Sequence, residues 1–165
     1  MEKTKRNKGG QSILDANQGS GKYSDTKFFT AKQKERAYKC FIRVLKERNI
    51  DKIDKNLYEH LIQHCGFIAH YNIHGFKAEY SGGDFRRFVE HFDRNSRVFA
   101  NWNHWIREEY ADVNNDMVDL ATAMAPQIYA ELDAAERAAE IQLCKAIAAK
   151  HGVNYSPLKW EAYRY

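Results

Sequence analysis

No stretch of this sequence is apolar for long enough to cross a bilayer; the longest, "LATAMAPQIYA", falls well short of the roughly 20 residues that a spanning helix needs. The opening "MEKTKRNKGGQSILDAN" is basic, yet no apolar segment of the signal-peptide kind follows it, so the expected location is cytoplasmic, with no membrane partner. Cysteine is scarce. Cys40, Cys65 and Cys144 are odd in number, far apart and without a CxxC pair, which excludes a disulfide framework and suits thiols buried as small hydrophobes. HExxH and ExxH are absent, leaving zincin and di-iron carboxylate chemistry without ligands. The phosphate-loop lookalike "GSGKY" fails because Ala16 stands where the motif needs glycine and Tyr23 where it needs Ser or Thr.

What is present is a chain of 165 residues, 44% hydrophobic and 13% aromatic, with a mean hydropathy of −0.72. That suits one soluble core filled by large rings. The net charge of +4 conceals a gradient: residues 1–50 hold 13 Lys and Arg against 5 acids, and residues 101–165 hold 6 against 10. A basic front of this kind fits phosphates or an acidic protein surface, and Lys34, Arg36 and Lys39 are its candidate nucleic-acid contacts.

The polar, Gly/Ser/Lys-rich residues 1–27 read as a flexible basic arm, and residues 28–165 as a single, mainly α-helical domain. Thr30 and Gln33 form a capping box ahead of a helix with Ala37, Phe41, Val44 and Leu45 inward. Asp54 caps a second helix with Leu57, Leu61, Cys65 and Ile68 as its apolar stripe, running on toward Gly75. Alternatively "FIAHY" and "FKAEY" pair as a small hairpin near residues 67–80, since Gly66 weakens a helix. Asp84 caps a helix of Phe85, Phe88, Val89 and Phe92, and Ser96 opens another around Val98, Trp102, Ile106 and Tyr110. The last long helix should run from near Asp116 to Lys150, kinked at Pro126, with Ile128, Leu132, Ala135, Ala139, Leu143 and Ile147 as its seam and Gly152 as its cap. Ser156 and Pro157 suit the start of a short closing helix carrying Trp160 and Tyr163.

"HLIQHCGFIAHYNIHGF" holds four of the seven histidines. On one helix, His60, His64, Phe67, Tyr71 and His74 share a stripe. HxxxH steps can grip zinc, but the thiol of Cys65 points with the apolar face, so neither metal nor cofactor is expected. Polar boundary histidines are the plain reading. The catalytic reading assigns His60, His64 and His74 to metal-free RNA cleavage, in which one imidazole takes the 2′-OH proton and another protonates the leaving oxygen. In "SGGDFRR", Arg86 and Arg87 suit a phosphate at a helix start, although capping alone explains the run. Arg94, Arg97, Trp102, His104 and Trp105 mix cations with flat rings, as single-strand binders do. His104, Glu108 and Asp112 fall at metal-compatible helical spacing without completing a known motif.

Several short pieces occur in one order along the chain: "KER" at Lys34–Arg36, Ile50–Asp51, Leu61, Gln63, Cys65 and Phe67, then Phe85–Arg86, and His151, Gly152, Tyr155 and Pro157. In these the chain resembles the phage-encoded type V-A anti-CRISPR proteins that disable an RNA-guided effector by cutting its guide RNA. The resemblance implies a phage accessory protein acting in the host cell on a ribonucleoprotein. The matched residues read as helix core and helix ending, so no catalytic residue is carried over. The expected function is binding and inhibition of a host nucleoprotein through basic and aromatic surface. A His-dependent ribonuclease and a virion protein with a threading arm are the alternatives.

Overall fold

The computed structural model describes residues 21–68 and 72–156. Among them run six α-helices and no strand. They are α1 (Ala31–Glu47), α2 (Lys55–His64), α3 (Ile73–Glu79), α4 (Phe85–Glu90), α5 (Arg97–Trp102) and α6 (Ala111–Lys150). The 3-10 turns Ile50–Lys52, Gly82–Asp84, Asn103–Trp105 and Glu108–Tyr110 fall between them. The chain divides at Pro126 into two compact units, Met1–Pro126 and Gln127–Tyr165.

Helix ends follow the side chains that can satisfy free backbone groups. Thr30 Oγ1 accepts from the Gln33 N–H while Gln33 Oε1 accepts from the Thr30 N–H, closing the expected box. Asp54 accepts from the Leu57 N–H at 2.8 Å and Ser96 from the Phe99 N–H at 3.0 Å. At the far end of α6, Gly152 takes φ +69°, its N–H donates to Ala149 O, and the Val153 N–H donates to Ala148 O at 2.9 Å, a Schellman closure.

Four expectations change. The second helix stops at His64, because Gly66 adopts φ +74° and a Cβ there would lie 2.8 Å from Trp105 Cβ. The break turns Phe67 into the core and leaves Ile68, expected on the apolar stripe, 68% exposed. The hairpin over 67–80 does not form. Asn72 caps the Gly75 N–H at 2.9 Å, and α3 takes up most of "FKAEY". Asp84 caps nothing with its side chain; it sits in the Gly82–Asp84 turn, 3.5 Å from Arg87 Nε. The last helix begins at Ala111, ahead of Asp116, and contains Pro126.

In the first unit the core is a ring cluster. Phe41 meets Phe92 at 4.8 Å, Phe67 meets Phe76 at 5.3 Å, and Phe92 meets Trp105 at 5.6 Å, all edge to face. Ala37, Val44, Leu45, Leu57, Leu61 and Met117 are fully buried and complete it with aliphatic contacts. Residues 22–25, read from sequence as arm, are held in place: Lys22 and Tyr23 reach Asp116 at 2.8 and 2.7 Å, Ser24 N–H reaches Asp112 at 3.0 Å, and Asp25 accepts from the Ala31 N–H at 2.7 Å. The arm before them, residues 1–20, lies outside the described residues. In the second unit, Ile128 is buried and Leu132 half-buried, but Ala135, Ala139, Leu143 and Ile147 are exposed. The expected closing helix from Pro157 also lies outside the described residues.

Candidate functional site

Two of the three histidines named for the catalytic reading, His60 and His64, lie on α2. His60 is fully buried, its ring stacked against Phe29 at 4.9 Å and 5.4 Å from the ring of His64. Asn114 fixes its tautomer. The Asn114 amide Nδ2 donates to His64 O at 2.9 Å, so Asn114 Oδ1 is an acceptor, and His60 Nε2 must carry the proton that it shares at 2.8 Å. Cys65 Sγ–H also donates to that oxygen, at 3.4 Å, and burial pushes its thiol pKa well up. His60 Nδ1 has no hydrogen-bond partner. Burial lowers the His60 pKa to about 4, keeping the ring neutral near pH 7. His64 stacks on Tyr110 at 3.8 Å, and its pKa falls through burial and then the nearby charge of Lys34. These two rings form a packed, polar interior.

His74 belongs to a different helix, α3, where it is exposed. The structure therefore does not bring the three histidines together, because Gly66 ends the helix that would have aligned them; Tyr71 and His70 lie outside the described residues. Among the described residues, no three His, Cys, Asp or Glu side chains converge as metal ligands.

Lys34 requires the second correction. Placed among the surface cations from sequence, it is 0% exposed, and its ammonium donates to Glu109 O at 2.9 Å and to Asp112 at 3.0 and 3.1 Å. Burial alone would raise the Asp112 carboxyl, but hydrogen bonds from Ser24, Lys34 and Val113, with the Lys34 charge, bring it below its ordinary value. This ammonium is closed off from any external phosphate.

Arg36 and Lys39 stand on the opposite side of α1, in water, Lys39 3.2 Å from Glu35. With them come three cations not singled out from sequence, Lys32, Arg43 and Lys46, all exposed. Positions 32, 36, 39, 43 and 46 repeat at alternating steps of four and three, so the five cations form one stripe, about 21 Å long at 1.5 Å per residue. The spacing was in the sequence; it becomes a surface once the inward face is known.

The remaining candidates disperse. Arg86 is half-buried, and exposed Arg87 sits 3.4 Å from Glu79 and over the Tyr80 ring at 5.4 Å. Arg94 pairs with Asp119, and its N–H donates to Thr122 Oγ1 at 3.0 Å. Arg97 and Trp102 are exposed on α5, whereas Trp105 is buried. A cleft of about 490 Å³ opens beside them, walled by Phe67, Phe76, Tyr80, His91, Trp102 and Trp105. His91 donates through Nε2 to Cys65 O, stacks on Trp105 at 5.2 Å and is pushed by burial to a pKa of about 4. Sequence reading grouped Trp102, His104 and Trp105 but put Phe67 on the histidine stripe and did not single out Phe76 and Tyr80; their approach depends on the turn at Gly66.

No protein-family profile, no curated protein and no solved structure matches the chain.

Proposed function

We propose that this protein is a phage-type accessory protein that binds and inhibits a host nucleoprotein of the RNA-guided CRISPR class, without cutting its RNA. The observation that carries the binding half is the stripe Lys32, Arg36, Lys39, Arg43 and Lys46, exposed along one face of α1. Five cations in line match a phosphate backbone and give binding that weakens steeply with salt. The interior supports the reading without cutting. A general base must come within hydrogen-bond reach of the proton it takes, and His60 is 0% exposed, stacked on Phe29 and bonded to Asn114, out of reach of an external RNA. The effector class rests on the resemblance alone.

The test uses a reconstituted type V-A effector with its guide RNA. The expected outcome is loss of target cleavage with the guide RNA intact, and recovery of cleavage when the protein carries Arg36→Glu, Lys39→Glu and Arg43→Glu. Shortened guide RNA would overturn the non-catalytic half; uninhibited cleavage would overturn the effector class.

A further inference from the structure

We propose that the aromatic cleft beside α3 and α5 is a pocket for one nucleobase of a single-stranded nucleic acid. The inference rests on the nucleic-acid reading of α1 and deepens it: the helix holds backbone, the cleft takes a base. Its volume of about 490 Å³ lies in the range of small-ligand pockets. The walls are flat rings, and Trp102, 60% exposed at the edge of the cleft, leaves an indole face in water as a stacking platform.

One polar group gives the cleft a chemical preference. Glu79 lines it; Arg87 contacts its Oε1 at 3.4 Å, and a carboxylate with two oxygens retains lone pairs for a base amine. A cation stands nearby, Arg87 over the Tyr80 ring, where the phosphate of a bound nucleotide would lie. A protein's phenyl or aliphatic side chain would fill the space but leave the Glu79 acceptor unanswered. A base with an exocyclic amine answers it.

The experiment follows intrinsic tryptophan emission of the full chain during titration with a short single-stranded oligonucleotide, in RNA and DNA forms, and with its abasic counterpart. Base-bearing oligonucleotide of either sugar should quench emission and bind about tenfold more tightly than the abasic one. Trp102→Ala, at an exposed position, should erase that difference while leaving abasic binding unchanged. Glu79→Gln, which keeps the shape but halves the acceptor oxygens, should weaken base-dependent binding several-fold. Equal, salt-sensitive binding of both oligonucleotides, or an unaffected Trp102→Ala variant, overturns the pocket and leaves the reading of α1 standing. No binding of either in low salt overturns both. Quenching by N-acetyl-phenylalaninamide but not by nucleoside monophosphate would assign the cleft to a protein side chain and also overturn the inference.

Discussion

Lys34 and Lys39 lie five residues apart on one helix and live in opposite worlds. Lys34 is sealed inside, bonded to Asp112 and the Glu109 carbonyl, while Lys39 stands in water in line with four other cations. The same contrast divides the histidines: His60 is neutral and locked to Asn114, whereas His74 is exposed on another helix. The lesson is that helical phase, not residue type, separates scaffold from surface. Buried charges and imidazoles here bond α1 and α2 to the start of α6, and the outward cations of α1 face water.

That contrast can be broken from the inside first. Asp112→Ala strands the buried Lys34 ammonium and should cost about 3–5 kcal/mol in urea unfolding, while Lys34→Met, which removes the buried charge and leaves a carboxylate still bonded to Ser24 and Val113, should cost about 1–2 kcal/mol. Equal costs would contradict the asymmetry. Acid acts next. The folded-state pKa of His60 is about 4 against 6.5 unfolded, so between those values the unfolded chain binds more protons. Stability should be full above pH 6.5 and fall by about 3 kcal/mol toward pH 4 from His60, with a similar share from His91. Urea midpoints at pH 7.5 and 4.5 measure the drop, and a flat profile would place both rings in water.

The outer face should respond in affinity rather than stability. Arg36→Glu, Lys39→Glu and Arg43→Glu together should weaken single-stranded RNA binding about a hundredfold in low salt, leaving the urea midpoint nearly unchanged. Gly66→Ala forces an L residue into a positive φ and its Cβ against Trp105, so about 2 kcal/mol should be lost, with the cleft disturbed in Trp fluorescence. The smallest effect is expected at His74→Ala, within about 0.5 kcal/mol and with RNA binding unchanged, as suits an exposed side chain.

Local signals were legible where they satisfy backbone groups. Thr30 and Gln33, Asp54, Ser96 and Gly152 act as the sequence suggests, because a cap needs only neighbours along the chain. The apolar quartet Phe85, Phe88, Val89 and Phe92 was equally plain. Lys34 was legible and overlooked: it lies three and seven residues before Ala37 and Phe41, on the inward face, and its charge argued against what its phase implied. The break at Gly66 was not legible in the same way. A glycine in a helical pattern is tolerated at modest cost, and what ends α2 there is the close approach of Trp105, a residue distant in sequence. Asn114, which sets the His60 tautomer, is likewise a long-range partner that no local spacing announces.

The most direct test of the account incubates end-labelled single-stranded RNA with the protein across a salt series and resolves each sample on native and denaturing gels. The account predicts a shifted band on the native gel that fades as salt rises, with full-length RNA on the denaturing gel throughout. New RNA ends that vanish in His60→Ala or His64→Ala, or no shift even in dilute buffer, would contradict it.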